Sequence, residues 1–230
     1  MPRDASAIVL AGLCATTASA TLVFDDLENI GADGTDVTQR QIGDVLVSMG
    51  TASGMALSAR TYGSTDLPAF WGMSDALNTP SASERLSGSR FLSTSIVNPA
   101  EPGSLFTANN PIWFEFDQDV VEFGLTTLDL LEQGSGSTDW LALRAYDIFG
   151  NLLDEQIRTG AQGAAGVDLR WSVASEGASI ARVELVGDIV ATYGGFGIDD
   201  LAVAASVIPA PASLVVLAVA GLGGTRRRRA

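Results

Sequence analysis

Two short acidic words stand near opposite ends of the central region, Phe24-Asp25-Asp26-Leu27 and Ile198-Asp199-Asp200-Leu201. Carboxylates at this density suit a hard divalent cation, because calcium collects six to eight oxygens from Asp, Glu and main-chain carbonyls. If the strands carrying the two words pair, Asp25, Asp26, Glu28, Asp199 and Asp200 converge. Adjacent residues on a strand point to opposite faces, so one Asp of each pair is the candidate ligand. Asp26 and Asp199 are the favoured two, and a structural Ca2+ is the cofactor such a site implies. The competing reading is solvated acids at exposed strand ends. Asp33-Gly34-Thr35-Asp36 has the loose form of a calcium loop, but it lacks the glutamate that would close one and reads as a turn.

A second chemistry is sugar recognition, which uses exposed aromatic planes flanked by polar side chains. Tyr62, Phe70 and Trp71 lie in a stretch rich in Ser, Thr, Gly and Pro over 61–89, and Tyr193 stands beside Gly194-Gly195. The alternative for Trp71 is a plug inserted into the core from its loop. Trp113, Trp140 and Trp171 sit inside strand patterns and read as core or sheet-face residues. Catalysis has no comparable signal. Paired carboxylates for glycoside hydrolysis occur by chance in so acidic a chain. There is no G-x-S-x-G elbow, no phosphate-binding loop and no histidine for a triad. The only cysteine is Cys14, which leaves the central region without a disulfide or a Cys/His zinc site. No catalytic residue is assigned, and the chain reads as a non-enzyme.

Charge narrows the partners. Taking Arg3, the four terminal arginines and Asp4 from the 13 basic and 27 acidic residues leaves eight against 26, a net of −18. Such a surface repels phosphate backbones and excludes nucleic acid as a partner. It suits cations, and it keeps an exported protein soluble.

The elements that would position these residues are strands. Candidates run over Thr21–Leu27, Gly43–Met49, Met55–Ala59, Arg90–Val97, Pro111–Phe116, Val120–Leu131, Trp140–Ile148, Leu152–Arg158, Val167–Val173, Ile180–Gly187 and Phe196–Ala204. Period-two alternation puts Ile112, Phe114 and Phe116 on one face. It turns Val183 and Leu185 inward, with Arg182 and Glu184 outward. Asp147 to Asn151 reads as a hairpin turn. About ten short strands and no long helical stripe predict an all-β fold, a two-sheet antiparallel β-sandwich of jelly-roll topology over 21–205. This middle resembles the jelly rolls of carbohydrate-binding modules and MAM-type adhesion domains. The likeness is carried by Phe24-Asp25-Asp26-Leu27 and Gly197-Ile198-Asp199-Asp200-Leu201. It implies that the first and last strands lie side by side and that acids there hold a structural calcium.

Both ends read as processing segments. Residues 1–20 have the form of a signal-peptide helix: Arg3, an apolar run from Ala7 to Ala15, and an Ala18-Ser19-Ala20 cleavage pattern. Over 206–230, Pro209-Ala210-Pro211 breaks the last strand. A short apolar transmembrane helix follows from Ala212 to Gly224, and then Arg226, Arg227, Arg228 and Arg229. At ~1.5 Å per residue that helix covers about 20 Å, short of a ~30 Å hydrocarbon core. This tail resembles the PEP-CTERM sorting signal, with Ala210 where that family has Glu. The resemblance implies an exosortase-type protease as a partner, transient membrane anchoring and delivery to the cell envelope or outside it. Taken together, the expectation is an exported envelope or matrix protein whose sandwich binds a polysaccharide or another surface component. A purely structural matrix protein and a glycan-active enzyme are the alternatives.

Overall fold

The structure is a computed structural model that describes residues 20–61, 88–94, 111–128, 140–159, 169–188 and 197–206. These belong to one compact unit, Ala20–Ser206. The expected leader and tail helices, with Pro209, Ala210, Pro211 and the four arginines, lie outside the described residues.

Among the described residues there are twelve strands and no helix. They are β1 (Leu22–Asp25), β2 (Asp36–Val37), β3 (Gln39–Ile42), β4 (Val45–Thr51), β5 (Leu57–Thr61), β6 (Arg90–Thr94), β7 (Ile112–Leu128), β8 (Trp140–Tyr146), β9 (Leu152–Thr159), β10 (Leu169–Ala174), β11 (Ile180–Asp188) and β12 (Gly197–Ala205). Every pairing is antiparallel. The strands form two layers. The first runs β3-β4-β7-β11-β8-β9. The second runs β2-β5-β6-β12-β7-β10, with β1 beside β12.

β7 belongs to both layers. Its first half, Ile112 to Phe116, pairs with β4 and β11, and its second half pairs with β12 and β10. The sequence predicts two strands here, separated at Asp117-Gln118-Asp119. The structure keeps one, because those polar residues serve the crossing instead of a turn. The Asp117 carboxylate accepts the Leu46 N–H at 2.8 Å, the Gln118 amide donates to the Asp44 carbonyl, and the Asp119 carbonyl accepts the Ser206 N–H at 2.7 Å. β2 and β3 are also absent from the sequence reading. β2 has two residues, and in β3 only Ile42 is buried, so neither carries an alternating apolar signal.

One buried cluster fills the space between the layers. Met49, Ile112, Phe114, Leu143, Val183 and Leu185 contribute from the first, and Leu57, Leu92, Phe123, Leu125, Trp171 and Val203 from the second. Alternation therefore reads correctly at Ile112, Phe114, Val183 and Leu185. Among the described residues Trp171 is the one indole in this core, and it donates its Nε1–H to Thr127 Oγ1 at 2.9 Å, which removes the penalty of a buried polar atom.

Among the described strands β10 pairs only with β7, so its other edge needs partners for main-chain groups. The core-facing positions of β9 supply them. The Asp154 carboxylate accepts the Ala174 N–H at 2.9 Å, the Gln156 side-chain carbonyl accepts the Ser172 N–H at 3.0 Å, and the Arg158 guanidinium donates to the Arg170 carbonyl at 2.6 Å. Period two on both strands makes the match, and it closes the sandwich on that side with side chains in place of a ladder.

Two carboxylates tie turns together and set an acid limit. Asp147 caps the β8–β9 hairpin, accepting the Phe149 and Asn151 N–H groups at 2.8 Å each and the Asn151 side-chain amide at 2.8 Å, while Gly150 takes φ +80°. The bonds from Asn151 hold its pKa below the usual aspartate value. For Glu28, burial acts upward, but the Ser89 and Arg90 N–H bonds together outweigh it and the pKa is lowered. A carboxylate whose folded pKa is depressed contributes stability that is complete above its unfolded pKa and lost as pH falls through the folded one. Melting temperature should therefore hold near neutrality and fall below about pH 5. In Glu28→Gln/Asp147→Asn the same scan should start lower and decline less steeply. Parallel pH curves for the two proteins would refute the assignment.

Candidate functional site

The outward residues of the first layer build the site. With Ile112, Phe114, Leu143, Ala145, Val183 and Leu185 committed to the core, the intervening positions face away from it. Register then aligns them in two rows. Ser48, Glu115, Arg182, Tyr146 and Leu152 stand opposite one another across five strands, and beside them run Gly50, Trp113, Glu184, Arg144 and Glu155.

The rows are cross-linked by charge. Arg182 donates Nη1–H to Glu115 Oε1 at 2.9 Å and Nε–H to Glu184 Oε1 at 2.8 Å, and its guanidinium carbon lies 5.7 Å from the centroid of the Trp113 ring. Arg144 donates Nε–H to Glu155 Oε1 at 2.5 Å and lies 5.6 Å from the Trp140 ring. The bond to Glu155 raises the Arg144 pKa. Burial raises that of the Tyr146 phenol, and the Glu184 charge adds to it, so the phenol stays protonated and can donate. These groups are not sealed in: the Arg182 side chain is 35% exposed and Glu115 48%.

Gly50 explains how Trp113 lies. The two residues face each other across β4 and β7, and a Cβ on Gly50 would come within 2.9 Å of Trp113 Cζ2. The indole is thus laid over the β4 backbone, where no side chain stands, as aromatics do over sheet glycines. The result is a partly exposed sheet face carrying two indoles, a phenol, two guanidinium groups and three carboxylates, with Arg182–Glu115 and Arg144–Glu155 paired across strands and Glu184 paired with Arg182 along β11. Fixed planar groups with aromatic surface between them can bind a ligand that offers an apolar ring face and a rim of hydroxyls.

The outer face of the second layer differs. Ser58, Arg60, Ser93, Thr126 and Asp199 lie there opposite the core and are nevertheless buried. Burial lowers the Arg60 pKa, with Asp33 acting against it.

Of the residues singled out in the sequence, Tyr62, Phe70, Trp71 and Tyr193 fall outside the described residues. The four aspartates are placed. The first and last strands do pair, with Phe24 opposite Ala202 and Asp25 opposite Leu201, but the carboxylates go separate ways. Asp25 accepts the Leu27 N–H at 3.0 Å and is gripped by Arg40. Asp26 is exposed and accepts the Glu28 N–H at 3.2 Å. Asp199 is buried at a bulge and accepts the Asp200 N–H at 2.8 Å. Asp200, at φ 51°, accepts from Thr126 Oγ1 at 3.2 Å and lies 3.5 Å from Arg170 Nη2. No three acidic, His or Cys side chains gather in metal-binding geometry among the described residues, and this donor set does not fit a calcium ion. Sequence reading did not single out this outer face as a candidate, although the outward positions of three predicted strands carry Trp, Glu, Arg and Tyr.

No protein-family model matches the chain, and no curated protein matches it. Among solved structures it is similar to a DUF4465 family protein from Bacteroides caccae, at 13% identity and a TM-score of 0.44 over 85% of this chain and 97% of that one. It is similar to the K2 cleaved adhesin domain of Lys-gingipain, at 11% identity and a TM-score of 0.43 over 80% and 99%. A third likeness is to the C-terminal family 22 carbohydrate-binding module of Clostridium thermocellum Xyn10B, at 14% identity and a TM-score of 0.36 over 75% and 94%. At these scores the likenesses are of outline, and no binding property passes from them to this chain.

Proposed function

We propose that this chain is an exported protein of the cell envelope or extracellular matrix whose sandwich binds a glycan on the outer face of its first layer. The observation that supports the reading is the Trp113–Arg182–Glu184–Arg144–Tyr146 face. There aromatic planes and fixed hydrogen-bonding groups share one partly exposed sheet surface. Sugars are recognised by such surfaces because their C–H faces are apolar while their hydroxyls need directed donors and acceptors. The test is a glycan array and matrix-polysaccharide pull-down with the full chain. Saturable retention of one glycan class, weakened in Trp113→Ala, is expected. Failure to retain any glycan or matrix extract would leave a structural protein without a ligand, and turnover of a retained polysaccharide would make it an enzyme.

The export part of the proposal rests on the ends of the sequence. The Ala18-Ser19-Ala20 pattern and the Pro209-Ala210-Pro211, apolar, Arg226–Arg229 order support removal of a leader and processing of the tail at the membrane. Mass spectrometry of the protein recovered from its native cells should find a mature chain that begins at Thr21 and lacks the four arginines. Recovery of the intact terminus ending in those arginines would refute tail processing.

A further inference from the structure

The segment from β1 to β2 carries Asp25, Asp26, Glu28, Asp33 and Asp36, of which Asp25, Asp26 and Glu28 belong to the expected calcium site. What occupies it is arginine. Arg40, on β3, takes both oxygens of Asp25: its Nε–H donates to Oδ2, and its Nη2–H donates to Oδ1 at 2.9 Å. Its Nη1–H donates to the Asn29 carbonyl at 3.1 Å. One carboxylate held in bidentate fashion and one main-chain carbonyl are the donor types that a calcium ion gathers. A guanidinium meets both with a fixed fork of N–H groups and a charge that does not titrate.

Arg90, at the start of β6, repeats the arrangement two residues along the segment. Its Nη2–H donates to the Gly31 carbonyl, its Nη1–H donates to Thr61 Oγ1 at 2.8 Å, and Nη1 lies 3.5 Å from Asp33 Oδ1. Thr61 in turn donates its hydroxyl to Asp33 Oδ1 at 2.6 Å. Glu28 completes the tether by accepting the Ser89 and Arg90 N–H groups at 2.5 and 2.8 Å. The carbonyls of Asn29 and Gly31 are thus held by cations fixed on two different strands. Both arginines are shielded from water: the Arg40 side chain is 22% exposed and that of Arg90 16%.

We infer that Arg40 and Arg90 act as built-in cations that fix the β1–β2 segment where a bound metal would otherwise be needed, so that this sandwich folds and holds its terminal strand without calcium. This does not depend on the glycan reading. The experiment compares the full chain with Arg40→Ala by thermal unfolding, each in chelator and in millimolar calcium chloride. The wild type should melt at the same temperature in both buffers. Arg40→Ala should melt lower by about 5 °C in chelator, the loss expected for a partly buried charge-assisted pair in a domain of this size. Stabilisation of Arg40→Ala by calcium, in which Asp25 and the Asn29 carbonyl are freed for a metal, would support the inference further. A wild type that calcium raises by several degrees would overturn it, and so would Arg40→Ala melting with the wild type in chelator. As a control for misfolding, hydrogen exchange should place the loss of protection in residues 22–37 while β8 and β11 keep theirs. Uniform loss would overturn the local clamp.

Discussion

Phe123→Ala is expected to destabilise the domain by about 3–5 kcal/mol, the range for truncating a fully buried phenyl. Phe123 has no exposure, and its ring centroid lies 4.9 Å from that of Phe114 and 5.4 Å from that of Phe116. All three belong to β7, but Phe114 and Phe116 project from the half paired in the first layer and Phe123 from the half paired in the second. The contact therefore joins the two layers at the point where one strand changes sheets. Collapse around the void is hindered because Val120, on the same strand, is fixed between β11 and β12. Domains are stable by only about 5–15 kcal/mol, so the variant loses about a fifth or more of its margin and its midpoint should drop by roughly 10 °C. Denaturant unfolding should give a lower midpoint with an unchanged slope, because the same surface is exposed on unfolding. Phe123→Leu should lose much less. A Phe123→Ala midpoint within two degrees of wild type, a margin of about 1 kcal/mol or less, would show that the crossing of β7 does not depend on this contact.

The same strand shows what a sequence reveals and what it withholds. The inward set of Ile112, Phe114 and Phe116 is legible because burial on one face writes itself as alternation. Continuity through Asp117-Gln118-Asp119 is not, because three polar residues look like a turn until their partners at Asp44, Leu46 and Ser206 are known, and those partners are remote in sequence. The hairpin at Asp147–Asn151 is legible, since all of its bonds are local. Ser58 and Arg60 alternate with Leu57 and Ala59, on the face away from the core, yet they are 0% and 5% exposed. Alternation separates the two faces of a strand but does not say which of them meets water. The resemblance carried by the two acidic words implies the pairing of β1 with β12, which the structure shows, but not the partner of each carboxylate. Asp25 is answered by Arg40, which lies on a polar edge strand with no apolar signature to announce it. The outer-face site was half readable: each of Trp113, Arg182 and Glu184 points outward by alternation, but only the strand order β7-β11-β8 makes them neighbours.

That neighbourhood is where the largest effect on binding is expected. If a glycan lies on the first layer's outer face, Trp113 is its principal aromatic plane, and Trp113→Ala should weaken binding by about 30-fold or more, the effect of losing an interface anchor worth at least ~2 kcal/mol. Stability should change little by comparison, because Trp113 is partly exposed and lies outside the buried cluster. Its removal gives up one exposed cation–π contact with Arg182, worth about 0.5–1 kcal/mol. Affinity and folding are thereby separable, as they are not at Phe123. Gly50→Ala tests the same plane without deleting it. The new methyl would stand 2.9 Å from Trp113 Cζ2, so the indole must lift or slide from its seat on β4. A ligand that stacks on the seated ring should then bind more weakly, although every atom of Trp113 is still present. Trp113→Phe, which keeps a smaller plane in the same place, should fall between wild type and Trp113→Ala. Calorimetric titration of the array-selected glycan against the three variants measures this ordering. Equal affinity for wild type, Trp113→Ala and Gly50→Ala would mean that the sugar sits elsewhere on the chain, however well this face is built to receive it.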